Sequence, residues 1–455
     1  REFPKIKSWH KANGKEENMK KKVALLLVVT MMCALLGGCG AKQKEQVSVL
    51  IKLPALTMPT LNDPECQQTG DFIKKAWDQF AAQYEKYDVT SNIVVFEQTD
   101  YQSNIVDCYG TEKGADLMFG GYFTISGYIY DGYAVPFDDI ITDDIRAEFS
   151  ESSWAQSKGN NGKTYLMPFY ALQNVLSYNK DMFKQCGLDE YCYDDNAIHG
   201  WSLDDWEIIL STLAEKLPAG QYPMMMYGAN NQGDTHTMIQ LRCKGSNFFN
   251  EEGLFNLNTP EGIAALQWIK DNYDKGYYPQ NAENLTINDN QELFANGQLA
   301  LYVYNTALAQ YSEQYDLGFV NFPGSTEGGV NSNWLTGFMA FDNGDPKRVE
   351  VIKDFVKFIY ETPELMEYST GGVPCSKTVI EKYKDQIKMS DEFLKNEANT
   401  VDFTANNPNW AGVREAFWPH INALLAGDET AEEAAAGLDA DCNAAITSVE
   451  RKLHE

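Results

Sequence analysis

Residues 162–188 read Gly-Lys-Thr-Tyr-Leu-Met-Pro-Phe-Tyr-Ala-Leu-Gln-Asn-Val-Leu-Ser-Tyr-Asn-Lys-Asp-Met-Phe-Lys-Gln-Cys-Gly-Leu. A short strand is expected to end at Pro168, with polar and aromatic residues after it. An apolar strand then leads to Tyr178-Asn179-Lys180-Asp181 and a short helix that closes at Gly187. Gly162-Lys163-Thr164 invites a phosphate-loop reading, but that motif needs glycine where Ser157 stands, and it opens a helix where this segment enters a strand.

Upstream, Val47 to Leu53 is a β-rich apolar run, and a proline-rich loop follows. Ile73, Trp77, Phe80, Ala81 and Tyr84 recur at helical spacing, and Ile93 to Glu97 is a second strand. A helix around residues 100–110 then leads to a third strand, Ala115 to Phe119. Alternating strands and helices imply parallel pairing with right-handed crossovers. Downstream, Ser202 and Asp205 have capping-box spacing ahead of a stripe of Trp206, Ile209, Leu210 and Leu213. Thr259-Pro260 and Asp345-Pro346 each announce a helix, as does Thr430 with Glu433 three residues on.

The Tyr178-Asn179-Lys180 segment resembles the "YNK" stretch of family 1 extracellular solute-binding proteins, the maltose-binding-protein-like receptors of ABC importers. Further resemblances follow in the same order along the chain. They are Ala115-Asp116-Leu117, Gly132 to Asp138, Trp201 to Trp206, Phe294 to Leu301, Asn333 to Gly337 and Gly372-Val373-Pro374. The likeness runs from about residue 47 to the C-terminus. It implies an α/β, periplasmic-binding-protein-like fold: two α/β lobes joined by a hinge of about three crossing segments. Residues 47–157 with 302–337 would form lobe 1, and 158–301 with 338–455 lobe 2.

Met19-Lys-Lys-Lys22 and the apolar run Val23 to Leu36 read as a signal peptide over 19–38, too short to span a bilayer comfortably. Leu36-Gly37-Gly38-Cys39 looks like a bacterial lipobox. Cys39 is therefore the expected lipid anchor, with 39–46 as a tether and 1–18 as an upstream segment outside the fold. A diacylglyceryl Cys39 would hold the protein on the outer face of the cell membrane. Seven cysteines remain. Cys186–Cys192 and Cys66–Cys108 could pair, though spacing alone decides neither, and buried free thiols are the default. A net charge of −28 argues against nucleic acid as a partner.

The five histidines show no zinc spacing, and no nucleophile elbow is present. Asp439-Ala-Asp441-Cys-Asn443 begins like a calcium loop, but Ala444 occupies the required glycine position, so a solvated helix face is expected. No metal and no cofactor are expected. The family resemblance implies a monomeric receptor without catalytic activity that delivers a mono- or oligosaccharide to ABC permease subunits. Sugars call for aromatic faces and planar polar side chains, and strand ends in open α/β sheets are where ligands bind. On that basis the candidate ligand-binding residues are Tyr122, Phe123, Tyr170, Gln173, Asn174, Asn230, Asp234, His236, Tyr304, Asn305, Trp334 and Trp410. A polyamine or other small-solute receptor of the same fold is the nearest alternative. A secreted glycan-active hydrolase and a sensor partner for a membrane kinase are the others.

Overall fold

The computed structural model describes residues 44–448, apart from 57, 59, 97–109, 122–127, 130–131, 160, 230–233, 247, 251, 305–313, 325–327, 388, 402–406 and 408. The expected signal peptide, Cys39 and the helix around 100–110 lie outside the described residues.

The first three strands form where the apolar runs stand: β1 (Gln46–Pro54), β2 (Asp88–Phe96) and β3 (Leu117–Gly121). Between β1 and β2 lies helix α1 (Thr69–Gln83), capped reciprocally by Gln68 and Asp71, which buries Phe72, Ile73, Ala76, Trp77 and Phe80. β1 and β3 pair in parallel, as the alternation predicts. The pair is held from below by Asp116, almost fully buried. Its carboxylate accepts from Leu50 N at 2.7 Å, Arg348 Nε at 2.9 Å and Asn343 Nδ2 at 3.2 Å. Next come β4 (Ala134–Val135), α2 (Asp143–Glu148) and α3 (Glu151–Gln156).

The stretch quoted first is one continuous strand, β5 (Met167–Asn179), rather than two. Pro168 does not end it, because the residue lacks only a donor and its register partner Gly337 sits at a bulge in the neighbouring strand. Asn179 caps helix α4 (Lys180–Gln185), and Gly187 follows at φ +78°. Then follow β6 (Ile198–His199), α5 (Leu203–Lys216), β7 (Tyr222–Met224), α6 (Asp234–Cys243), α7 (Pro260–Asp274), α8 (Ile287–Ala295), β8 (Leu299–Tyr304) and β9 (Leu317–Val320). The Ser202–Asp205 capping box forms, and the four apolar residues of its stripe are buried.

β10 (Asn331–Phe341) runs antiparallel to both β3 and β5 and stitches them together. Gly337 permits this, since a Cβ there would run into the Met167 carbonyl. After β10 come α9 (Pro346–Glu361), β11 (Val373–Pro374), α10 (Lys377–Tyr383), α11 (Ser390–Asn396), β12 (Thr400–Val401), α12 (Trp410–Ala426) and α13 (Ala431–Thr447). The strand order is β2-β1-β3-β10-β5-β8-β7, with β4 and β12 on β10, β11 on β5, and β9 between β5 and β6.

Two apolar clusters flank this path. Ala115, Met118, Leu166, Leu335, Met339 and Phe341 belong to one. Val175, Leu176, Tyr178, Leu301, Tyr302, Phe319 and the buried faces of α12 and α13 belong to the other. β8 and β9 pair with the second half of β5, which carries residues 302–320 into the second cluster.

Two smaller points differ from the sequence reading. Cys66, Cys186 and Cys192 are free thiols, so the pairing weighed for Cys186 and Cys192 is not formed; Cys108 lies outside the described residues. Asp439 and Asn443 are not merely solvated. Asp439 accepts from Leu257 N and Asn258 N at 2.6 and 2.9 Å, and Asn443 bonds both N and O of Phe255.

Candidate functional site

β5 and β10 lie side by side with Gln173 opposite Asn333, Asn174 opposite Ser332, Leu172 opposite Trp334 and Tyr170 opposite Thr336. Four of the sequence-derived candidates therefore fall on one short stretch of strand pair. Their roles differ. Tyr170 is packed against Phe119 and Phe169, with ring centroids 6.0 and 6.2 Å away, and lies beneath Gly372. Its hydroxyl bonds the Thr336 side chain, and burial raises the phenol's pKa. Gln173 donates to the Phe393 carbonyl at 2.6 Å, and Asn174 donates to Ser332 Oγ at 3.2 Å. Trp334 is half-buried, the one candidate of the four with open ring surface. Beside it, Asn333 Nδ2 reaches Gln156 Oε1 at 3.4 Å, while Asn333 Oδ1 finds no hydrogen-bond partner among the described residues.

A second set gathers where α6 comes against β10 and α12. His236 lies in the first turn of α6, where a loop was expected, and is buried. Its Nδ1 pairs with the Tyr227 hydroxyl, and the two rings meet edge-on at 5.8 Å. Burial, and next the nearby Arg414 guanidinium, push its pKa down from 6.5 to about 4. The positive end of a helix dipole acts in the same direction. The imidazole is therefore neutral at pH 7, with Nε2 unpartnered among the described residues. Trp410 opens α12, started by the Asn409 side chain accepting from Gly412 N at 3.1 Å. The Trp410 ring is fully buried in the second apolar cluster, and its Nε1 likewise has no partner among the described residues. Arg414, one turn on, is buried beside it.

Tyr122, Phe123, Asn230 and Asn305 lie outside the described residues, as do the side chains of Asp234 and Tyr304. Sequence reading passed over Tyr227, Asn333 and Arg414. Arg414 carried a usable signal, since it stands four residues after Trp410 on a helix that Asn409 caps. Tyr227 carried none, because only the fold sets it against His236.

These groups offer neutral donors and acceptors, aromatic surface and one cation. An unmade hydrogen bond on a buried polar atom costs on the order of 1–3 kcal/mol, so the indole and imidazole nitrogens suit a guest rich in hydroxyls. Among the described residues no three His, Cys, Asp or Glu side chains converge as a metal ion would require, and no helix is long and apolar enough to cross a membrane. The pocket formed by Tyr222, Pro279, Leu285, Asp289, Leu293 and Gln298, about 290 Å³, is elsewhere and contains none of the candidates.

Residues 70–364 match the family described as bacterial extracellular solute-binding protein. A binding protein of Brucella abortus is 21% identical over 349 residues, 75% of this chain and 79% of that one. The diacetylchitobiose-binding protein of Streptomyces coelicolor is 24% identical over 312 residues, covering 64% and 69%. Among solved structures, the acarbose-binding GacH receptor of Streptomyces glaucescens superimposes with a TM-score of 0.68 at 17% identity, over 89% of this chain and 99% of that one. The maltose-bound MalE3 of Thermotoga maritima gives 0.65 at 18% identity, over 87% and 98%. The periplasmic-binding-protein-like α/β fold expected from the sequence is the fold these likenesses show.

Proposed function

Because the chain belongs to the bacterial extracellular solute-binding proteins, we propose that it captures a mono- or oligosaccharide between two α/β lobes and delivers it to ABC permease subunits. The observation that carries this reading is the set of buried, neutral, unpartnered nitrogens on His236 and Trp410, on the α6 and α12 elements that come together near the Trp334 strand. Hydroxyls complete such nitrogens, and an indole face accepts the C–H patches of a sugar ring. The solved relatives are consistent with it, since those described above bind acarbose and maltose.

The lobes are part of the proposal. The two apolar clusters support a division, and their membership would put 302–322 with the 175–301 side and 331–341 with the first side. Closure follows from differential affinity: a guest that contacts both lobes binds the closed form more tightly and shifts the population toward it. On this reading no bond in the sugar is made or broken. The receptor is a monomer, and lipidated Cys39 holds it on the outer face of the cell membrane. Metabolic labelling with palmitate tests the anchor, since Cys39→Ala should lose the label and release the protein.

The function is tested by thermal shift with maltotriose, diacetylchitobiose, spermidine and amino acids. A saturable rise in Tm with a sugar supports the proposal. A rise with spermidine alone would replace it by the polyamine reading.

A further inference from the structure

Both long strands change partners in their middle. β5 leaves the first apolar cluster at Leu166 and joins the second at Val175, while β10 begins beside Phe322 of the second and reaches the first at Leu335. The residues at the change are polar and buried: Gln173, Asn174, Asn331 and Ser332. They are tied to one another and to the segment Ser390–Val401 by amide hydrogen bonds. Asn396 and Asn321 form a reciprocal pair, Nδ2 to Oδ1 at 2.8 Å one way and 2.6 Å the other. Asn396 Nδ2 also reaches Gln173 Oε1 at 3.4 Å, and its carbonyl accepts from Asn331 Nδ2 at 3.2 Å. Thr400 Oγ1 donates to Asn331 Oδ1 at 2.9 Å, and Asn321 Nδ2 donates to the Gly328 carbonyl at 2.7 Å. β12 adds main-chain pairing, with Thr400 against Asn331.

A closed buried amide network is stiff, because moving any member leaves the others unsatisfied. Placed where two strands pass between cores, it resists bending of those strands more than it stabilises either core. We propose that Asn321 and Asn396 are positioning residues for ligand capture: their paired amides strap Ser390–Val401 across β5 and β10 and set the rest angle between the two halves. This rests on the two-lobe capture reading. It also gives Gln173 and Asn174 a place in the hinge instead of a contact with the guest.

The test is single-molecule energy transfer on the full chain without sugar. Dyes are attached through genetically encoded side chains at two exposed positions, Lys74 on α1 and Gln267 on α7. Asn321→Ala and Asn396→Ala should each widen the distance distribution by about half again, and the double variant should be no wider than either single, because one network is lost once. Thr400→Val, which keeps its shape and removes one hydroxyl bond, should widen it less, and it carries the test if an alanine variant does not fold. Asn290→Ala is the control. It removes a buried amide that bonds Met226 N and O, away from both strands, and should leave the distribution as in the wild type whatever stability is lost. Unchanged distributions in the hinge variants, or equal widening by Asn290→Ala, would overturn the proposal. With no sugar in the experiment, a chain that binds none sinks the capture reading but leaves this result standing.

Discussion

Acidification from pH 7 to 4.5 should weaken the fold through His236 by an amount that can be calculated in advance. In the folded chain the imidazole stays neutral down to about pH 4, whereas an ordinary histidine takes its proton near 6.5. Between those values the unfolded state binds more protons than the native state, so stability falls as pH falls. The contribution is complete above 6.5, drains away through the window and is gone below about 4. At 1.36 kcal/mol per pH unit the full loss is roughly 3 kcal/mol, with about 1.4 of it lost by pH 5.5 and about 2.5 by pH 4.5. His236→Gln removes the titration while keeping an acceptor for the Tyr227 hydroxyl. Urea unfolding of both proteins at pH 7.0, 5.5 and 4.5, with m-values compared, isolates the histidine, because the other groups titrate alike in both. The wild-type curve should drop more steeply by those amounts. A difference between the two proteins that stays constant across the window would refute the burial argument.

Other substitutions separate site from scaffold. Asp116→Ala strands Arg348, which donates from Nη2 at 2.5 Å and from Nε at 2.9 Å; urea unfolding should show a loss of about 3–5 kcal/mol. Gly337→Ala drives a methyl into the Met167 carbonyl and should cost at least about 1–3 kcal/mol by the same assay. Trp334→Ala, on a half-buried ring, should leave Tm within a few degrees while weakening sugar binding roughly tenfold or more by calorimetry.

The fold was legible because its signals are local. The Ser202–Asp205 and Thr430–Glu433 boxes, the prolines after Thr259 and Asp345, and the apolar stripes state their elements within a few residues. Interruptions were misread for the same reason. Pro168 looks terminal in isolation, and only the bulge in β10 makes it an interior residue. The candidate site was half legible. Polar and aromatic residues on the crossing strands could be named, but not whether each side chain faces a guest, a core or an amide partner. Tyr170 and Trp334 are both aromatic residues on neighbouring strands, yet one is packed under Gly372 and the other is open. Gln173 reads as a sugar ligand until the Phe393 carbonyl is found on its amide. That carbonyl lies 220 residues away, beyond any local pattern.

Isothermal titration of the purified chain with maltotriose and with diacetylchitobiose, followed by chromatography of the recovered sugar, tests capture most directly. One sugar of this class should bind at a single saturable site with a Kd of about 1 μM or tighter, corresponding to about −8 kcal/mol, and should be recovered intact. No heat with any sugar, or shortened sugar accumulating at an enzymatic rate, would contradict the account.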